Sequence, residues 1–129
     1  MAYAYDPQNI FARILRGEIP NSTVLETEHT LAFRDIFPKA PQHVLVIPKG
    51  PYVTYDHFFG QASEAEIVDF ARTVAKVCEM VGATADAGAL GSRAITNAGE
   101  HGVQEVPHFH LHILAGRPLG RMLDMSEAG

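Results

Sequence analysis

The segment His108-Phe109-His110-Leu111-His112 gathers three imidazoles into five residues, in a chain of 129 that holds seven histidines. Side chains on an extended backbone alternate between faces, so His108, His110 and His112 share one side and Phe109, Leu111 and Ile113 the other. Same-face neighbours then have Cα atoms ~6.6 Å apart, so adjacent rings can touch or flank one phosphate group. Crowded imidazolium rings repel, and at least one is expected to stay neutral near pH 7 beside a charged neighbour. A neutral imidazole is a nucleophile toward phosphorus, and the charged neighbour can donate to a phosphate oxygen. His-x-His on a strand can equally supply two zinc ligands, with His43 or His101 completing the set. From these residues alone, covalent chemistry and a metal site both remain open.

Composition narrows the partners. Apolar residues make up 47% and charged residues 19%, the balance of a globular chain, and the length fits one domain over residues 1–129. A formal net charge of −5 argues against nonspecific binding to a nucleic-acid polymer, which needs a basic face, but not against a small phosphorylated ligand. No run of eighteen apolar residues spans a bilayer, and the first residues lack the basic and apolar regions of a secretory signal. With the one cysteine, Cys78, unable to form an internal disulfide, a cytoplasmic location is expected.

The elements that must carry the histidines follow from spacing. Residues 9–16 pair Ile10 with Ile14 and Phe11 with Leu15 at i,i+4, and Gly17 stops them, which predicts a short helix. Val24–Glu26 and Thr30–Arg34 read as strands joined by a turn at Glu28-His29. The apolar run from His43 to Pro48 reads as an interior strand. Tyr52–Gly60 reads as a loop. Ser63 and Glu66 form a capping box for a long helix ending at Gly82, with Ile67, Phe70, Ala71, Val74, Val77, Cys78 and Val81 as its apolar stripe. Asp69 falls on its polar face. Ser92–Thr96 and Phe109–Leu114 are the last predicted strands, separated by a polar, Gly-containing turn at Asn97–Gln104. Strands on both sides of one long helix predict an α+β domain with an antiparallel sheet. The tail, about 116–129, shows little periodicity and is expected to be loosely ordered or used at an interface.

The alternation of His108, His110 and His112 with apolar residues through Leu114 resembles the signature of the histidine triad family, and within it the Hint branch. Further blocks resemble that family in the same order: Ile10-Phe11 with Arg16-Gly17-Glu18-Ile19-Pro20, then Leu31 to Ile36, then Ala40 to Pro48. The resemblance implies a five-stranded antiparallel sheet with one short and one long helix, continued across a homodimer. It implies a hydrolase acting at the α-phosphate of a nucleoside monophosphate derivative, purine favoured, of the phosphoramidase type. In that reading His110 is the nucleophile and becomes nucleotidylated, His112 donates to the phosphate, and His108 and His43 support the geometry. Asn97, Gln104 and the backbone around Val103–Glu105 surround the phosphates. Asp35 accepts from ribose hydroxyls, and Ile10, Phe11, Ile19, Phe33, Ile36 and Leu45 line the base pocket. No metal or organic cofactor is implied.

Two features depart from the Hint pattern. Glu105 stands where a serine is common before the triad, and a carboxylate can relay a proton to a leaving group only when protonated. The ending also lacks the usual tryptophan. Alternatives to phosphoramidate hydrolysis are dinucleoside polyphosphate hydrolysis, nucleotidyl transfer, a nucleotide-binding interaction protein, or a metal-dependent hydrolase. His29 and His57 read as solvated or structural, and His101 equally as a surface residue or as a loop residue within reach of a phosphate.

Overall fold

A computed structural model describes residues 3–123. Helix α1 (Ile10–Leu15) is capped by Asn9, whose side chain accepts from the Ala12 N–H. Three strands follow, β1 (Thr23–Glu26), β2 (Thr30–Arg34) and β3 (Gln42–Pro48). Helices α2 (Tyr55–Gln61) and α3 (Glu64–Met80) come next, then β4 (Ser92–Ile95) and β5 (Leu111–Ala115). All pairings are antiparallel, in the order β1-β2-β3-β5-β4. No helix among the described residues is long and apolar enough to cross a membrane.

The sheet buries both faces, which is why β2 and β3 read as unbroken apolar runs rather than alternating ones. One face, with Ala32, Val44, Val46 and Ile113, packs on Phe58 of α2 and on Phe70 and Val77 of α3. The other, with Leu31, Phe33, Leu45 and Ile47, packs under Phe11 and Ile14 of α1. Phe109 joins the first cluster, its ring 5.4 Å from that of Phe58 and 5.0 Å from that of Phe70. The opposite side of the same segment is thereby turned toward α1.

Four expectations need correction. Tyr55–Gln61 is helical, not a loop: Thr54 caps it by accepting from the His57 N–H, and Phe58 is wholly buried. The fold therefore has two short helices beside the long one. On α3 the capping box forms as predicted, but Ala71 is exposed and Thr73 is buried in the stripe. Asp69 is not on a solvated face. It accepts from the Thr27 hydroxyl at 2.6 Å, the Thr30 hydroxyl at 2.7 Å and the His29 N–H at 3.2 Å, tying α3 to the β1–β2 turn.

The fourth correction concerns the histidine segment, where β5 starts at Leu111 rather than Phe109. Continuing the β3–β5 register would set Phe109 opposite Pro48, which has no N–H to give. Phe109 instead donates its N–H to the Tyr52 carbonyl at 2.8 Å. The first part of the expected loose tail is also tied down. The Arg93 guanidinium donates to the carbonyls of Leu119, Gly120 and Arg121, and Arg117 donates to the Lys39 carbonyl. The remainder of that tail, 124–129, lies outside the described residues.

Candidate active site

A cleft of about 540 Å³ opens between α1, the β2–β3 connection and the loop that follows β4, within the range of a small-molecule pocket. Its lining brings together most of the residues singled out above. Ile10, Phe11, Ile19, Phe33, Ile36 and Leu45 form an apolar part, and Asp35, His43, Asn97, Glu105, His110 and His112 a polar one. Asn97 lies across from His110 because the β4–β5 register, extended by two residues, places it there. The Thr96 hydroxyl donates to the His110 carbonyl at 2.9 Å.

The hydrogen-bond partners fix the tautomer of each ring. The His108 Nε2–H donates to the Pro48 carbonyl at 2.8 Å, since a carbonyl only accepts. The His110 Nδ1–H donates to the His108 carbonyl at 2.8 Å, which leaves the Nε2 lone pair of His110 without a hydrogen-bond partner among the described residues. His43 accepts from the Lys39 N–H at its Nδ1, 3.1 Å away, so its proton is on Nε2. That Nε2–H donates to His112 Nδ1 at 2.9 Å, and the His112 proton must then sit on Nε2. One ring thus offers a lone pair and its neighbour an N–H, with ring centroids 5.0 Å apart.

Burial pushes all four imidazoles toward the neutral form, against the expectation of a charged neighbour. Burial pushes His108 down to about 4, outweighing the Pro48 carbonyl that favours its charged form. Burial, with His110 and His43 close by, pushes His112 down to about 4 as well. His110 is lowered mainly by burial, against the pull of the His108 carbonyl, Asp35 and Glu105. His43 is lowered by burial despite Asp35 beside it. The donor at His112 is therefore a neutral N–H placed by its tautomer.

Two expected site residues, His108 and Gln104, lie outside the cleft lining, and His101 takes its surface alternative. His108 is wholly buried behind the cleft, and His101 is exposed and does not line it. The Gln104 side chain is consumed by the loop itself. Its Nε2 donates to the carbonyls of Val53 and Val106, and its Oε1 accepts from the Gly99 N–H. Within that loop Val103 takes φ +54 and still lines the cleft, a left-handed conformation uncommon outside glycine and often found at functional loops. Asp35 serves two purposes: Oδ1 accepts from the Phe37 N–H at 2.8 Å in a turn, and Oδ2 lies 3.5 Å from His43 Nε2. Ligand atoms of Asp35, His43 and His112 all lie within 4.8 Å of one another, and His43 Nε2 and His112 Nδ1 are already joined by a hydrogen bond.

Sequence reasoning missed Tyr5, whose hydroxyl reaches His108 Nδ1 at 2.7 Å, and Lys39, whose backbone sets the His43 tautomer. Nothing in the local pattern of either residue signals these contacts, because the first spans 103 positions and the second uses only main chain.

Residues 16–119 match the HIT domain family. The chain is 56% identical over 123 residues to a 13.2 kDa HIT-like protein of Azospirillum brasilense, covering 95% of this chain and 98% of that one. It is 40% identical over 116 residues to the purine nucleoside phosphoramidase of Escherichia coli K12, covering 90% and 93%. Among solved structures, a histidine triad protein from Clostridium difficile superposes with a TM-score of 0.77 at 37% identity, covering 92% of this chain and 98% of that one. With a five-stranded antiparallel sheet and a cleft that carries His110 and His112 on its wall, the chain belongs to the HIT family of nucleotide-binding, hydrolase-type proteins.

Proposed function

We propose that the protein hydrolyses purine nucleoside 5′-phosphoramidates through a covalent intermediate on His110. One observation carries this reading. The His110 Nδ1–H is held by the His108 carbonyl, so the ring presents Nε2, and with it a lone pair, as its free nitrogen on the cleft wall. In the proposed reaction that lone pair forms a bond to the α-phosphorus and the P–N bond breaks, the departing amine taking up a proton from solvent. The His112 Nε2–H donates to a phosphate oxygen as charge builds on it. Water then attacks the phosphorus as the P–Nε2 bond breaks and its proton passes to solvent, releasing a nucleoside monophosphate and restoring neutral His110.

The apolar slot of Ile10, Phe11, Ile19, Phe33 and Leu45 suits the flat face of a purine. In this reading Asp35 accepts from ribose hydroxyls through Oδ2, and Asn97 and the backbone at Val103–Glu105 surround the phosphates. Action in the cytoplasm as a homodimer fits the same reading, with the outer edge of β4 as the natural place for the sheet to continue into a second copy.

A panel of adenosine, guanosine, uridine and cytidine phosphoramidates, with a dinucleoside tetraphosphate alongside, tests the assignment. Turnover of the purine phosphoramidates, abolished in a folded His110→Ala variant, is the expected result; near-normal kcat in that variant refutes it. The Asp35, His43 and His112 grouping supports a second, metal-dependent reading. Activity that disappears on chelation and returns with zinc would favour that reading over the covalent one.

A further inference from the structure

Residues 3–9 precede the segment that matches the family, yet they reach His108 behind the cleft. Tyr3 donates its hydroxyl to Asp56 at 2.6 Å and stacks on His57 with ring centroids 4.1 Å apart. Asn9 donates to the Asp6 carbonyl, and Arg16 to the Pro7 carbonyl, each at 2.7 Å. Between these anchors the Tyr5 ring meets His108 edge-on at 5.6 Å, and its hydroxyl lies 2.7 Å from Nδ1.

The direction of that hydrogen bond is determined. Because the Pro48 carbonyl takes the Nε2–H of neutral His108, Nδ1 carries a lone pair and the Tyr5 hydroxyl must donate to it. His108 is 0% exposed, so no bulk water can replace the donor. Both nitrogens of the ring are thus fixed, one by β3 and one by the N-terminal segment. The carbonyl of the same residue holds the Nδ1–H of His110 at 2.8 Å.

We propose that Tyr5 is a positioning residue for the reaction: its hydroxyl locks His108, and through the His108 carbonyl it fixes the ring of His110 with Nε2 toward the substrate. This rests on the nucleophilic role assigned to His110 above. Without the hydroxyl, Nδ1 becomes a buried acceptor with no donor. The ring can relieve that only by turning or by exchanging tautomer, and either move gives up the Pro48 bond and loosens the backbone that orients His110.

The test compares Tyr5→Phe with Tyr3→Phe, which removes the hydroxyl bond to Asp56 on the same segment without touching a histidine of the triad. Each is assayed on adenosine 5′-phosphoramidate and by 15N NMR of labelled histidines. Tyr5→Phe should lower kcat about tenfold with KM nearly unchanged, because the loss falls on alignment rather than binding. It should also shift the His108 Nδ1 resonance toward that of a free lone pair and move the His110 signals, while Tyr3→Phe leaves kcat and both rings as in the wild type. Wild-type kcat in Tyr5→Phe, unmoved His110 signals, or an equal loss in Tyr3→Phe each overturns the proposal. If the wild type turns over no nucleoside phosphoramidate, the assigned reaction fails separately. The NMR comparison then decides alone whether Tyr5 holds His108 and, through it, His110.

Discussion

His43 touches the proposed phosphate donor but not the nucleophile, so its removal isolates one part of the mechanism. In His43→Ala, His112 Nδ1 loses the N–H that reaches it at 2.9 Å, and with it the reason for the His112 proton to stay on Nε2. Asp35, 3.5 Å from His43 Nε2, cannot substitute, because an ionised carboxylate only accepts. An acceptor left without its donor in a partly buried setting costs about 1–3 kcal/mol. At ~1.36 kcal/mol per factor of ten, that is a loss of roughly 5-fold to 150-fold in rate. The loss should fall on kcat, since His112 matters most when charge develops on the phosphate oxygen. Steady-state hydrolysis of adenosine 5′-phosphoramidate measures it, with thermal unfolding to establish that the variant remains folded despite the space left at a 4% exposed position. His43→Gln, whose amide can still donate, should recover part of the rate. A folded His43→Ala enzyme with wild-type kcat would mean that the tautomer of His112 is not set by His43.

Three other outcomes are expected. Because burial lowers His110 from its ordinary 6.5, the acid limb of kcat/KM in the free enzyme should have its midpoint below that value, activity falling as Nε2 gains a proton; a midpoint at or above 6.5 contradicts the assignment. Stability should also fall on acidification. A histidine whose folded pKa is lowered stabilises the fold fully above its unfolded value and loses that contribution as pH falls toward the folded one, so the shift of His108 from 6.5 to about 4 is worth about 3 kcal/mol, lost across that interval. Urea midpoints that stay constant from pH 6.5 to 4.5 would contradict this. Glu105→Ser removes a carboxylate from the wall that holds His110 and should favour substrates with anionic leaving groups over those with amine leaving groups; unchanged relative rates would show that the Glu105 side chain takes no part.

Much of this architecture was legible in the residues because it rests on local periodicity. The alternation along His108–His112 placed Phe109 and Ile113 in one core and His110 and His112 on the opposite wall, although β5 is shorter than expected. The box of Ser63 and Glu66 set the start of α3, and β2 ran from Thr30 to Arg34 as read. What was not legible depends on contacts between distant segments. Helix α2 looks like a loop because Tyr52–Gly60 has no apolar stripe of its own, and it is held through the packing of Phe58 on Phe70 and Phe109. Asp69 reads as a solvated acid until the β1–β2 turn brings Thr27 and Thr30 to it. Gln104 reads as a phosphate ligand until its amide proves to be spent on the Val53 and Val106 carbonyls. The charge state of the triad also depends on burial, which spacing alone does not give.

The central claim is that His110 Nε2 forms the covalent bond to phosphorus. Rapid quench of the enzyme into alkaline denaturant, which spares an acid-labile N–P bond, during turnover of adenosine 5′-phosphoramidate, followed by mass spectrometry of the peptide containing His108–His112, tests it most directly. The account predicts an adenylyl adduct on His110 that forms and decays at rates compatible with kcat and is absent in His110→Ala. An adduct on another residue, or turnover with no adduct at any quench time while single-turnover kinetics require one to accumulate, would contradict it.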